Sequence, residues 1–538
     1  MSSAAVPTGP SSQRAPRTIL RPGDVITQPA WPTDRAIRSV HVIRIGGAGM
    51  SAVGRLALEA GLRVSGSDSQ DGQFIAPLRE AGARITLSFD AASLGDDVDV
   101  VVVSTAVRAD NPEVIAAHER GIPVIHRAAA LAGLLAGRDL VAVAGTHGKT
   151  STTGMAVMAL RGAGLDPAWA LGAAVPDLGR NAGFCADPVL TGSGAGAPGG
   201  TEGSDASGAT RTAKSGSTAP VVISTAPAVI EADESDGSFL AFAPRSLVVT
   251  NLEPDHLDFH GDEETLTAAF DTLTGQIVPG GQLVVCDDDP GARALGARAA
   301  QRGVAVTSYG TGAHCDWQVL SESSSAGGTQ LELATPRGTL RTSLSVAGHH
   351  NVLNALGALA ASAAAVPDAE LSALATGLSV FTGASRRFDV AGTVGGVTVV
   401  DDYAHHPREV AATIAAARGI VEDQGRGGRV LVVFQPHLFS RTRDFAADFA
   451  TALAAADRTW VLPVYAARED PHPRIDARTI TDHVTGEAVL PVAGPEQVAA
   501  AVRDAAAPGD LVLMLGAGDI VETTPSVLAA LGDGAEER

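Results

Sequence analysis

Short apolar runs, each cut off by a glycine or a charged residue and followed by helical spacing, recur from residue 38 onward. Between 38 and 135 the runs Val40–Ile45, Arg63–Ser67, Val98–Ser104 and Gly121–Ile125 read as strands, with a helix from the glycine turn after Ile45 to about Ala60. From 139 to 380 the same reading predicts strands at Leu140–Ala144, Val221–Ser224, Ala228–Glu231, Leu247–Asn251 and Leu283–Cys286. After Phe381, strands at Val397–Asp401, Val430–Phe434, Thr459–Pro463 and Leu511–Leu515 alternate with alanine-rich helices. Uninterrupted apolar strands separated by helices predict mostly parallel sheets covered on both faces. The expected fold class is α/β, with three consecutive α/β domains at 37–138, 139–380 and 381–538. Two stretches lack the pattern. Residues 1–36 are rich in Ser, Pro and Ala and read as a disordered extension. Residues 190–218 are Gly, Ser, Thr and Ala with almost no large apolar side chain, and read as a flexible insertion in the central domain.

Composition narrows the function. With 538 residues, 45% apolar and 18% charged, the chain can bury real cores. The net charge of −21 argues against a nonspecific nucleic-acid binder or an anionic-membrane binder. Cys185, Cys286 and Cys315 are widely spaced and show no metal pattern, so a reduced cytoplasmic setting is expected. No apolar run approaches the ~18 residues of a membrane span. Homo-oligomerisation is left open.

The candidate chemistry lies at strand ends. After Leu140–Ala144 comes Gly145-Thr146-His147-Gly148-Lys149-Thr150-Ser151, a glycine turn leading into a helix. Backbone N–H groups there would cradle phosphate, Lys149 would add charge, and the Thr150 hydroxyl would bind Mg²⁺. At Ile45-Gly-Gly-Ala-Gly-Met-Ser, with Gly47, Gly49 and Met50 in the turn and Asp68 ending the next strand, the chain nearly matches a dinucleotide fingerprint; a tight turn without a ligand is the alternative. Glu231-Ala-Asp-Glu-Ser-Asp sets four carboxylates within six residues, which a cation such as Mg²⁺ would relieve. His256 stands among carboxylates, as a metal ligand or an acid/base. Asn351 reads either as an adenine or ribose contact or as a helix cap, and Asn354 as a cap. Arg386-Arg387 offers a charge for a transferring phosphate. Asp401-Asp402-Tyr403-Ala-His405-His406-Pro and Phe434-Gln-Pro-His437-Leu-Phe-Ser-Arg441 both follow strands, where ligands bind in doubly wound sheets.

Together these stretches, with Asp110-Asn-Pro-Glu, Asp255-His-Leu-Asp and His350-Asn-Val-Leu-Asn-Ala, run in the order of one family, and the chain resembles the ATP-dependent Mur ligases from about residue 40 to 520. The resemblance implies a Rossmann-like N-terminal domain, a central P-loop-type ATPase domain and a Rossmann-like C-terminal domain. It implies ligation of L-alanine to UDP-N-acetylmuramate through an acyl phosphate, driven by ATP with Mg²⁺, in peptidoglycan precursor synthesis. Gly47, Gly49, Met50 and Asp68 would serve the UDP-sugar. Thr150, Glu231 and His256 would hold Mg²⁺, Asn351 the adenine, Arg386 the γ-phosphate, and Asp402 the nucleotide. Tyr403, His405, His437 and Arg441 would line the amino-acid and lactyl site, with Lys149, His405 and Arg441 catalytic. The chain departs from the family pattern at Arg44, where glycine is usual, at Ser88-Phe89, where Gly-His is usual, and at Leu438, where arginine is expected. Competing readings are a ligase recycling a murein tripeptide, an oxidoreductase built on Gly46–Gly49, and a non-catalytic sugar-nucleotide binder. The oxidoreductase leaves the Lys149 loop and the acidic cluster unexplained.

Overall fold

A computed structural model describes residues 30–184, 226–325, 328–346, 348–384, 386–425, 427–467, 469–484 and 489–536. The first 29 residues of the expected extension, the 190–218 insertion and the expected strand at 221–224 lie outside the described residues. Within the remainder of that extension, Trp31 packs onto Gly133 at the edge of the first core.

Three sheets follow one another along the chain. The first runs Arg84–Thr86, Arg63–Ser67, Ser39–Ile43, Val100–Val103, Val124–His126, all parallel. Its central strands are fully buried, as apolar runs covered on both faces must be. The second sheet has ten strands. Leu140–Ala144 lies between Ser246–Val249 and Ala228–Glu231, parallel to both. That order sets the phosphate loop, Asn251 and Glu231 side by side at one carboxyl edge. The third sheet runs Asp389–Val394, Val397–Asp402, Leu511–Leu515, Val430–Phe434, Arg458–Val461, Val489–Pro491, parallel except at its first strand.

The predicted strands inside the described residues appear with shifts of at most a few residues at their ends. The antiparallel extension Trp317–Ser325, Gly328–Thr335, Gly338–Leu344 was not expected. Its apolar positions alternate, with Leu331 and Leu333 buried, Gln330 exposed and Glu332 half-buried between and beside them, so no uninterrupted apolar run marks it. No helix among the described residues is long and apolar enough to cross a membrane.

The helix Lys149–Gly162, which starts at the phosphate loop, is wedged against the helices His349–Ala365 and Leu371–Ser379. Its crossing with the latter is glycine on glycine. A Cβ on Gly162 would lie 2.5 Å from the Ala373 carbonyl oxygen, and one on Gly377 would strike the Met158 carbonyl. Backbone cannot yield as a side-chain tip can. Gly377→Ala is therefore expected to lower unfolding stability by about 1–3 kcal/mol, read as a lower urea midpoint at unchanged slope. An unchanged midpoint would show that the helices do not approach this closely.

Candidate active site

The loop after Leu140–Ala144 turns on two glycines with left-handed backbone, Gly145 at φ +129° and Gly148 at φ +83°. A side chain at Gly145 would strike the Thr250 hydroxyl, and one at Gly148 would come within 2.5 Å of Asn354 Oδ1. The neighbouring strand end ties the loop down. His147 N donates to Asn251 Oδ1 at 2.7 Å, and the Thr250 hydroxyl donates to the His147 carbonyl at 2.6 Å. Asn354 thus packs against the loop. It is not a cap, because the helix begins five residues earlier, at His349. Asn351 lies beside it, accepting from Asn354 Nδ2 at 3.5 Å.

Lys149 Nζ donates to the carbonyls of Gly145 (2.7 Å) and Thr146 (3.1 Å) and to Glu234 Oε1 (2.9 Å). The Thr150 hydroxyl sits 3.1 and 3.0 Å from the two oxygens of Glu231, which also accepts from Gly172 N at 2.7 Å. His256, held at φ +53°, faces Glu234 at 3.7 Å and Asp255 at 3.6 Å. Thr150 and Glu231 are therefore joined directly, while His256 reaches the cluster through Glu234. Ser151 follows in the first turn of the helix. Burial works against the Lys149 ammonium, yet Glu234, Asp233 and Glu231 hold its pKa above the usual value. The surplus negative charge falls on Glu234. Burial, opposed by Lys149 and aided by Asp233, pushes it up to about 7.

The first sheet contributes Arg127, at the start of a helix following Val124–His126. Its Nη2 lies 2.7 Å from Asp233 and 3.4 Å from Asp236, and Gly49 approaches its Nη1. A cavity of about 60 Å³ opens there among Gly49, Arg127, Gly172, Glu231 and Asp233. Gly47 caps the helix Ala48–Glu59, and Met50 is buried in its first turn. Asp68 closes the glycine turn from outside, accepting from Gly46 N at 2.8 Å. Of the departures from the family pattern, Arg44 and Phe89 meet, the guanidinium 5.7 Å from the ring centre.

The third sheet faces the same edge. Arg441 Nη2 pairs with Asp255 Oδ1 at 2.8 Å, both side chains at most 5% exposed. His437 lies 3.4 Å from Arg441 and stacks on Tyr465. His405 meets the rings of Tyr403 and His437 edge-on. Burial pushes His405 down to about 3, which keeps it neutral. The Tyr403 carbonyl (3.0 Å) and Glu409 (3.2 Å) beside Nδ1 place its proton there, leaving the lone pair on Nε2. Asp402 accepts from Phe388 N, ahead of the neighbouring strand, and from Ala404 N in its own turn, at 2.7 and 2.8 Å. Arg386 donates to the Gly516 and Gly518 carbonyls and Arg387 lies beside Glu409, and both guanidinium groups stand over the Tyr403 ring, at 5.0 and 5.1 Å.

The sequence reading missed Arg127, Glu234, Glu253, Asp255 and Glu409. Asp255 and Glu234 stood inside quoted motifs, and Arg127 directly follows a strand end; Glu409 looked like an ordinary helix residue. A separate trio, Asp287, His314 and Cys315, brings its donor atoms within 4.8 Å of one another, with Arg293 already 3.7 Å from Asp287.

Three family models match in chain order: the Mur ligase family catalytic domain over residues 39–139, the Mur ligase middle domain over 211–362, and the Mur ligase glutamate ligase domain over 386–518. The chain belongs to the Mur ligase family. Among its curated relatives, the UDP-N-acetylmuramate–L-alanine ligase of Kineococcus radiotolerans is 47% identical over 92% of this chain and 96% of its own. The enzyme of that name from Mycobacterium tuberculosis is 43% identical over 92% and 95%. The crystal structure of the UDP-N-acetylmuramate-alanine ligase of Thermotoga maritima matches with a TM-score of 0.71 at 26% identity, over 91% of this chain and 98% of that one.

His147 generates a pH prediction. Burial opposes its charge, but the Glu253 carboxylate 3.6 Å from Nε2 and the hydrogen bond to Glu409 raise its pKa from 6.5 to about 9. Because the folded value is raised, the stabilisation is complete below pH 6.5 and is lost as pH climbs through 9. The wild-type protein is expected to lose on the order of 1–3 kcal/mol relative to His147→Gln over that interval, measured by urea unfolding at each pH. Parallel curves would remove the interaction.

Proposed function

We propose that this Mur ligase joins L-alanine to the lactyl carboxylate of UDP-N-acetylmuramate at the expense of ATP, as a cytosolic step of peptidoglycan precursor synthesis. The observation that carries this reading is the pairing of Arg441 with Asp255, which sets the loops of the third sheet against the phosphate loop of the second. A carboxylate is a poor acyl donor at neutral pH. In this reading its oxygen bonds the γ-phosphorus while the bond to the β-phosphate oxygen breaks and ADP leaves. The alanine nitrogen then bonds the acyl carbon, the carbon–oxygen bond to phosphate breaks, and phosphate departs. Lys149 supplies charge to the transferring phosphoryl group. His405, neutral with a lone pair on Nε2, accepts a hydrogen bond from the incoming amine and orients it, and the proton the nitrogen loses leaves with the departing phosphate. Arg441 and His437 orient the two carboxylates.

Mg²⁺ belongs to the same reading. The Thr150 hydroxyl and the Glu231 carboxylate are the hard oxygen donors that this ion takes, and Glu234 Oε2 is buried without a hydrogen-bond partner. Thr150 and Glu231 would hold it, with His256 alongside, and when bound it screens the anionic groups that must meet. The UDP-sugar fits the turn at Gly47–Met50, with Arg127 as the nearest buried cation. Tyr403, His405 and His437, whose rings meet edge-on, would line the amino-acid site.

Phosphate release with UDP-N-acetylmuramate, ATP and Mg²⁺ tests this, comparing L-alanine with glycine, L-serine and a murein tripeptide. Release that depends on L-alanine is expected, and release that depends only on the tripeptide would replace the reading with the recycling reaction. Lys149→Ala is expected to keep the fold and to lose a factor on the order of 10² or more in kcat. Near-wild-type turnover of the folded variant would remove Lys149 from the mechanism.

A further inference from the structure

One carboxylate of the third sheet touches both halves of the site. Glu409 lies in the first turn of the helix Pro407–Gln424, with its side chain 12% exposed. Its Oε2 accepts from the backbone N–H of His405 (2.9 Å) and of His406 (3.2 Å) and lies 3.2 Å from His405 Nδ1. Its Oε1 lies 3.0 Å from His147 Nδ1, in the middle of the phosphate loop of the second sheet. Arg387 stands 3.9 Å from the same oxygen. Helix capping requires only the first two bonds, and a side chain facing solvent would satisfy it. The contact with His147 is additional, and it is made across the interface.

We propose that Glu409 is a positioning residue that couples the phosphate loop to the His405 loop, so that the amine-accepting side of the site is assembled only against an engaged nucleotide loop. The proposal rests on the ligase reading above. His147 is fixed on its own sheet by Asn251 and Thr250, and Glu253 lies 3.6 Å from its Nε2. Arg408, adjacent to Glu409, pairs with Glu253. The two loops are thus crosslinked twice, but only the Glu409 link ends on the backbone that carries His405. If that link fails after phosphoryl transfer, the amine is no longer held against the acyl carbon. Water then attacks the acyl phosphate, its oxygen bonding the acyl carbon as phosphate leaves, and the lactyl carboxylate is regenerated with no amide formed.

The test is the ratio of phosphate released to amide formed. Glu409→Gln keeps the length and an oxygen for the two backbone caps but removes the charge that holds His147. Glu409→Asp keeps the charge but is one methylene too short to span both loops. In both variants the affinity for a non-hydrolysable ATP analogue is expected to stay within about threefold, kcat for amide to fall at least tenfold, and the ratio to rise above one. A helix cap alone would lower thermal stability without moving the ratio. A ratio of one with near-wild-type kcat in either folded variant overturns the proposal. Absence of L-alanine-dependent phosphate release from the unaltered protein would instead overturn the ligase reading.

Discussion

Carboxylates crowd the seam where the three sheets meet, and the placement of nearly every other functional group follows from how they are neutralised. Glu234, Asp236 and Asp255 are at most 5% exposed. A buried charge left without a partner costs several kcal/mol, so each must find a cation or a set of donors. Asp233 and Asp236 find Arg127 of the first sheet, Asp255 finds Arg441 of the third, and Glu409 of the third finds His147 of the second. Apolar surfaces would tolerate sliding between the sheets. Paired buried charges do not, because a shift of an ångström or two leaves both partners exposed to the full desolvation cost.

The same arithmetic explains the protonation states. Asp255 is held well below the usual carboxylate range, because His256 and Arg441 outweigh its burial. His126, beside Asp236, is pushed down to about 4 by burial and stays neutral, since Arg127 already answers that carboxylate. His147 stands between two carboxylates, Glu253 and Glu409, and keeps its proton. Neighbouring histidines in one seam thus carry different charges, set by how many acids each must share.

What could be read in the chain divides along physical lines. Strands such as Leu140–Ala144, Val430–Phe434 and Leu511–Leu515 are buried on both faces, and their uninterrupted apolar runs stand out at the residue. The hairpin strands after residue 316 bury one face and were not seen. The turn at Gly145–Lys149 was legible because its signal is local: two glycines with left-handed backbone lead directly into a helix. The seam was not, because its logic lies in pairs far apart in the chain. Nothing near Glu409 points to His147, 262 residues away, and nothing near Arg441 points to Asp255, 186 residues away. The acidic motif announced that a cation was needed, but its local sequence could not say that Lys149 would choose Glu234 and Arg127 would choose Asp233. What anchors the Arg386–Arg387 pair was hidden for a similar reason. The left-handed backbone at Arg386 turns the pair, and the carbonyls that capture the first guanidinium belong to the Gly516–Gly518 turn.

Lys149 shows what this balance means for ligand binding. An ammonium has three N–H donors, and all three are directed at acceptors of the protein: the carbonyls of Gly145 and Thr146 and the carboxylate of Glu234. A triphosphate entering the loop cannot simply be added. It must take the place of at least one of those acceptors, and Glu234 is the one whose charge it duplicates. Glu234, already pushed up to about 7, can answer by taking a proton or by turning to His256, 3.7 Å away. His256 in turn lies 3.6 Å from Asp255, the partner of Arg441 on the opposite sheet. The charges that hold the sheets in register are in this way contiguous with the acceptors that a ligand of the Lys149 loop must displace.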